Sequence, residues 1–156
     1  MLHGLVSFEL EPPGEPELAR RRQAFLEGGH PYLVPEDAAS GLLLGYAYAG
    51  PYRTRPAYRF AVRASIYLEP GAAGRGIGAK LLAALIVRCE AAGFRLMVAV
   101  IGNAANAPSI GLHARFGFSQ TRLLRAVGLK HGRSVDSVLM TRPLGQGDAT
   151  PPIERR

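Results

Sequence analysis

Two stretches of the chain combine residue types that suit chemistry. The first is Gly74-Arg75-Gly76-Ile77-Gly78, set between a β-rich run, Tyr58 to Glu69, and a helical run, Ile77 to Ala92. Strand, glycine loop, helix is an arrangement that binds a phosphorylated ligand on backbone N–H groups. The first turn of a helix leaves about four N–H groups without partners, and its dipole favours an anion there. Glycines let the backbone approach without a Cβ in the way, and Arg75 adds a positive charge. The second stretch is Asn106-x-x-Ser109-x-x-x-His113-x-x-x-Gly117-Phe118. An imidazole with an unperturbed pKa near 6.5 suits proton transfer. His113 is therefore either an acid–base residue or a histidine packed on a helix face, and Asn106 is a helix N-terminal residue, a ligand contact, or both.

Two better-known phosphate motifs fail here. Gly74-x-Gly76-x-x-Ala79 fits the loose dinucleotide fingerprint, but that fingerprint needs a carboxylate about 20 residues on to hold a ribose. None stands between Glu90 and Asp136. A P-loop fails because Lys80 is not placed as G-K-[ST].

The elements that must position these residues are readable from periodicity. Leu5 to Leu10 reads as a strand or loop edge, and Glu15 to Glu27 as a helix in which Arg20-Arg21-Arg22 is a solvated face. Gly28-Gly29 ends it. Tyr32 to Pro35 and Leu42 to Ala49 read as a hairpin around the turn Asp37 to Gly41, closed by Gly50-Pro51. A loop with Arg53 and Arg55 follows. Phe60, Val62, Ala64, Ile66 and Leu68 alternate with Ala61, Arg63, Ser65, Tyr67 and Glu69, hence a strand. Ile77, Leu81, Leu82, Leu85, Ile86 and Cys89 make one apolar helix face, and Gly93 suits the cap. Leu96 to Ile101 is continuously apolar, as in a buried parallel strand. Strand, helix, strand then forms a right-handed crossover. Ser109 to Phe116 reads as a short helix. Ser119 to Leu129 and Val135 to Thr141 read as late strands about His131-Gly132-Arg133.

At 156 residues the chain has the length of one domain, taken as residues 1–144 with a flexible tail at 145–156. No apolar run reaches the roughly 18 residues of a membrane span, and no signal peptide is visible, so no membrane partner is expected. The lone Cys89 cannot form an internal disulfide and reads as core, which suits a cytoplasmic protein. A net charge of +7 suits an anionic small molecule, an anionic surface or nucleic acid. The absence of zinc-finger spacing and of basic, aromatic-interleaved motifs argues against nucleic acid. No metal is implied.

The Asn106-to-Phe118 segment, with the glycine loop before it, resembles the GNAT superfamily of N-acetyltransferases, in which R/Q-x-x-G-x-G/A binds the pyrophosphate of acetyl-CoA. Four stretches resemble the phosphinothricin and methionine-sulfoximine acetyltransferases more closely. They are Ala47-Tyr48-Ala49-Gly50-Pro51-Tyr52, Val98-Ala99-Val100-Ile101-Gly102, Leu112-His113 and Leu124-Arg125-Ala126-Val127-Gly128-Leu129-Lys130-His131-Gly132. The resemblance runs from about Phe8 to about Arg142. It implies an α/β (α+β) fold with a mixed, V-shaped sheet flanked by helices, acetyl transfer to a small primary amine, and a homodimer. It implies that Ile66, Tyr67 and Leu68 offer strand backbone to pantetheine and the thioester carbonyl. It also implies that Gly74, Arg75, Gly76, Ile77 and Gly78 hold the pyrophosphate, and that Asn106 and Ser109 lie along the cofactor. Phe8, Glu9, Arg53 and Arg55 match the region that shapes the amino-acid pocket, the two arginines being either surface charges or grips for a substrate acid.

Three positions depart from that pattern. The family carries V-E-x-S/T-V-Y-V with the glutamate taken as base, whereas this chain reads Val62-Arg63-Ala64-Ser65-Ile66-Tyr67-Leu68. A guanidinium only donates, so Arg63 cannot take a proton. Glu9 and His113 are left as candidate catalytic groups. Ala73 stands at the R/Q position of the pyrophosphate motif, which implies weakened binding by retained backbone donors. The family also implies roughly 25 to 30 further residues before Phe8, more than one element, so either the start lies further upstream or the chain lacks a first strand and helix, an edge of the sheet and a wall of the site. The alternative to an active enzyme is a CoA-binding relative with little catalysis.

Overall fold

A computed structural model, which describes residues 11 and 13–154, gives the order α1 (Glu15–Glu27), β1 (Tyr32–Leu33), β2 (Gly45–Pro51), β3 (Ala61–Leu68), α2 (Ile77–Ala91), β4 (Leu96–Gly102), α3 (Ala107–Arg115), β5 (Ser119–Lys130) and β6 (Arg133–Pro143). The expected strand or edge at Leu5 to Leu10 lies outside the described residues. Six strands form one sheet in the order β1-β2-β3-β4-β6-β5. Only β3 and β4 run parallel; the other neighbours are antiparallel. The sheet is therefore mixed, as expected.

It is also split. The β3–β4 ladder runs only from Ala61↔Leu96 to Ala64↔Ala99. Past that point β3 stays with β2 as far as Gly45↔Leu68, and β4 stays with β6 as far as Gly102↔Ser137. A V opens between Ser65 on one side and Val100 on the other.

The apolar face of α2 holds the two halves together below the split. Leu81, Leu82, Leu85, Ile86 and Cys89 are buried against Ala47, Ala49, Val62 and Ala64 of the first half and Met97, Ala99 and Ile101 of the second. Helix residues at three- and four-residue spacing meet strand residues at two-residue spacing. Alanines at the centre of the sheet admit α2 closely. On the opposite face, Phe25 of α1 stacks on Tyr48 at 4.7 Å, and Tyr46 leans on Tyr67 at 4.9 Å.

Several boundaries differ from the sequence expectation. The hairpin pairs Tyr32 with Tyr48, but β2 begins at Gly45 rather than Leu42 and continues through Pro51. Asp37 Oδ1 accepts from the N–H groups of Ala39 and Ser40, and Gly41 N–H donates to Asp37 O. That turn draws residues 42–44 into the loop, where Leu42 and Leu43 are exposed. Helix α3 starts at Ala107, two residues early, because Asn106 caps it and Pro108 fits its first turn. β6 is longer than expected at both ends. Residues 147–151, within the stretch expected as a loose tail, lie along Arg95, whose guanidinium donates to Gly147 O, Thr150 O and Pro151 O.

Gly45 has φ +144, and a Cβ built there lies 2.1 Å from Tyr67 O. Backbone would have to move along the cleft-facing strand. Gly45→Ala is therefore expected to lower unfolding free energy by roughly 3 kcal/mol in urea titrations monitored by circular dichroism. A loss below about 1 kcal/mol would show that β2 and β3 separate easily.

Candidate active site

The V holds a cleft of about 600 Å³. Its walls are Ala64 to Leu68 of β3, Ala99 to Gly102 of β4, the glycine loop and one side of α3. Each wall brings a different chemistry.

The glycine loop brings backbone donors. Gly74 and Gly76 have φ of 76° and 77°, a region that favours glycine. Gly76 is the N-cap of α2, and the first helical hydrogen bond runs from Lys80 N–H to Gly76 O at 3.2 Å. The N–H groups of Ile77, Gly78 and Ala79 come before that ladder and are available to an anion. A Cβ built on Gly74 or Gly76 meets nothing within 4 Å, so the space above the loop is open to a ligand.

β3 brings a free edge. Beyond Ala64 its β4-facing backbone groups have no strand partner among the described residues. An extended ligand carrying amides can hydrogen-bond there as an added strand would.

Helix α3 brings Asn106, Ser109 and His113. Asn106 Oδ1 accepts from Ser109 N–H at 3.4 Å, which occupies its oxygen and leaves its NH2 able to donate. Capping and ligand contact are therefore compatible. His113 is 7% exposed and sits edge-on to Phe118 at 5.0 Å. Its Nδ1 lies 2.8 Å from Ser109 O. A carbonyl only accepts, so Nδ1 carries the hydrogen and the neutral ring has its lone pair on Nε2. Burial holds its pKa below the ordinary 6.5, while the Ser109 carbonyl acts in the opposite sense. Among the described residues lining the cleft there is no Asp or Glu, and His113 is the imidazole.

The remaining candidates lie elsewhere. Arg75 turns away from the cleft and donates to Asp37 Oδ2 at 3.3 Å, beside a second cavity of about 520 Å³. The Ser40 and Ala39 donors together with Arg75 lower the Asp37 pKa to about 2. Arg53 lies over the rings of Tyr52 and Tyr58 at 5.3 and 5.5 Å, and with Arg55 lines a third cavity of about 450 Å³ beyond the end of β2. Arg63 is exposed. Phe8 and Glu9 lie outside the described residues. Val100 and Arg115 also line the cleft. Nothing in their local pattern marks them, since one belongs to an apolar run and the other to a helix end. Among the described residues, no group of three His, Cys, Asp or Glu is placed to hold a metal ion, and no helix is long and apolar enough to cross a membrane.

The sequence profile of the Acetyltransferase (GNAT) family matches residues 2–118. This chain belongs to the GNAT acetyltransferase family. It is 49% identical over 149 residues to a phosphinothricin N-acetyltransferase of Alcaligenes faecalis, covering 96% of this chain and 75% of that protein. It is 44% identical over 122 residues to an L-methionine sulfoximine/L-methionine sulfone acetyltransferase of Pseudomonas paraeruginosa, covering 78% and 67%. A GNAT superfamily phosphinothricin acetyltransferase of Sinorhizobium meliloti, solved in complex with AcCoA, superposes with a TM-score of 0.93 at 49% identity, over 98% of this chain and 82% of that one. The split sheet is thus the GNAT fold.

The buried His113 makes stability depend on pH. Because the fold disfavours the imidazolium, the unfolded chain binds more protons below about pH 6.5. The stability contributed by neutral His113 is present above that value and is lost as pH falls toward the lower folded value. The urea midpoint should fall between about pH 7 and 5, and His113→Gln should flatten that slope. An unchanged slope in the variant would mean that other groups set it.

Proposed function

We propose that this chain moves acetyl from acetyl-CoA to the primary amine of a small amino-acid-like substrate, of the phosphinothricin or methionine sulfoximine and sulfone type, by direct attack in a ternary complex. The observation that carries this is one cleft in which a helix N-terminus, a free strand edge and a buried neutral imidazole converge. The N–H groups of Ile77, Gly78 and Ala79 take the pyrophosphate. The edge formed by Ile66, Tyr67 and Leu68 takes the pantetheine amides and offers N–H to the thioester oxygen as it gains charge. Asn106 and Ser109 lie along the cofactor chain. Because Arg75 is held by Asp37, the pyrophosphate site rests on backbone donors.

The substrate arrives as an ammonium and must lose a proton before its nitrogen has a lone pair. His113 Nε2 accepts that proton, directly or through water. The nitrogen then bonds to the thioester carbon, the C–S bond breaks, the leaving CoA thiolate takes the proton of the imidazolium, and the acylated nitrogen gives up its second proton to the regenerated imidazole or to water. Glu9 is the second candidate base. Phe8, Arg53 and Arg55 shape the amino-acid pocket, with an arginine gripping the carboxylate. The catalytic unit is residues 1–144, acting as a homodimer in the cytoplasm; a chain with a single cysteine, buried at Cys89, suits a reducing compartment.

A second reading has its own observation. Arg63 stands where the family pattern has glutamate, which fits a CoA-binding relative with little catalysis.

Purified protein with acetyl-CoA and phosphinothricin or methionine sulfone should release free thiol. His113→Ala should lower kcat about 100- to 1,000-fold while the acetyl-CoA Kd stays within about twofold. Acetyl-CoA binding with no turnover over a panel of amino acids would favour the second reading. Full activity of His113→Ala would move the base to Glu9 or to solvent.

A further inference from the structure

β3 changes its company just after Arg63. In register Arg63 faces Gly50 on one side and Val98 on the other, one step before the last β3–β4 pair, Ala64↔Ala99. Val62 and Ala64 belong to the core under α2, so Arg63, Ser65 and Tyr67 project from the opposite face. Val98 and Val100 share that face by the same alternation. Ser65 and Val100 line the cleft. Arg63 thus stands at the apex of the V, on the side away from the α2 N-terminus. Strand rise places its Cα about 7 Å from that of Ser65, within the reach of an arginine side chain. The acyl donor's phosphates belong on the α2 side; on this face Phe25 of α1 covers Gly50 and Tyr48, and the open side beside exposed Arg63 is left for the acceptor.

The guanidinium is uncommitted there. Arg63 is exposed and, among the described residues, makes no hydrogen bond, ion pair or ring contact. Gly50 offers no side chain, Val98 is buried and apolar, and no carboxylate lines the cleft. Farther along the same end of β2 stands a second cation, Arg53, fixed over two tyrosine rings. Two separate cationic stations fit an acceptor with two anionic groups, and a guanidinium grips an oxyacid with two parallel hydrogen bonds.

Resting on the acetyltransferase reading, we infer that Arg63 is a specificity-determining residue. It holds the side-chain oxyacid of the acceptor, so the preferred substrates are amino acids whose side chain ends in a carboxylate or phosphinate. Neutral isosteres ending in an amide or sulfone are still acetylated, but with a higher KM. A glutamate at this position would repel the same group.

The test compares matched pairs, glutamate against glutamine and phosphinothricin against methionine sulfone. In the wild type, kcat/KM should favour the acidic member at least tenfold, through KM. Arg63→Gln should bring the ratio to within about threefold, Arg63→Lys should retain part of it, and Arg63→Glu should invert it. Circular dichroism melting and acetyl-CoA affinity should stay at wild-type values in each variant, which separates recognition from folding. Calorimetric titration of the CoA-saturated protein with glutamate and glutamine reads the preference without turnover. Equal affinities, no glutamate binding, or a preference that survives Arg63→Gln overturn the inference. Absent acetyl transfer with the binding preference intact overturns the acetyltransferase reading alone.

Discussion

The early end of the β3–β4 ladder is the constraint on which the rest depends. A parallel pair inside a sheet normally satisfies both edges of each strand, because buried backbone groups without partners are costly. Here pairing stops after Ala64↔Ala99, and the next residues of β3 face a cleft instead of a strand. The halves do not fall apart because α2 spans them, with Ala47, Ala49 and Val62 on one side of its contact and Met97, Ala99 and Ile101 on the other. The same packing that closes the sheet below the split fixes the width of the opening above it. A ligand with amides along its length can complete the ladder that β4 leaves open.

Around that opening the fold arranges polarity largely with backbone. The N-terminus of α2 faces the cleft with N–H groups, and the turn that makes this possible needs left-handed φ at Gly74 and Gly76. The side-chain cation of the loop is directed elsewhere, to a carboxylate that its own Asx-type turn keeps ionised. His113 is the counterpart on α3, with one ring nitrogen committed to Ser109 O and burial keeping the ring neutral. The cleft thus sets a neutral imidazole beside backbone donors, with no carboxylate among its described lining residues. Arg63 then reverses the charge that the family pattern has at the apex of the V.

Much of this was legible in local sequence. The glycine loop between an alternating run and a helical run is a short-range pattern, as are the apolar face of α2 and the helix ends at Gly28 and Gly93. The start of β2 was not legible, because the Asp37 turn competes for residues 42–44 and side-chain capping outweighs the apolar character of Leu42 and Leu43. Asn106 and His113 carried open alternatives, and the fold shows a cap whose NH2 can still donate and a packed ring whose second nitrogen keeps a lone pair.

By itself the sequence determined the elements, the family resemblance and the replacement of glutamate by Arg63, since each is written in residue type and near-neighbour spacing. Only the tertiary structure decided what shares the cleft. Ser65 and Val100 meet across the V, His113 lines the cleft with its Nδ1 directed to Ser109 O, Arg75 leaves for Asp37, and Arg63 is left without a partner among the described residues. Those facts depend on where β3 and β4 stop pairing and on which face each strand residue presents. Both are set by the packing of α2 across the sheet, a contact between segments too far apart in the chain for local pattern to report.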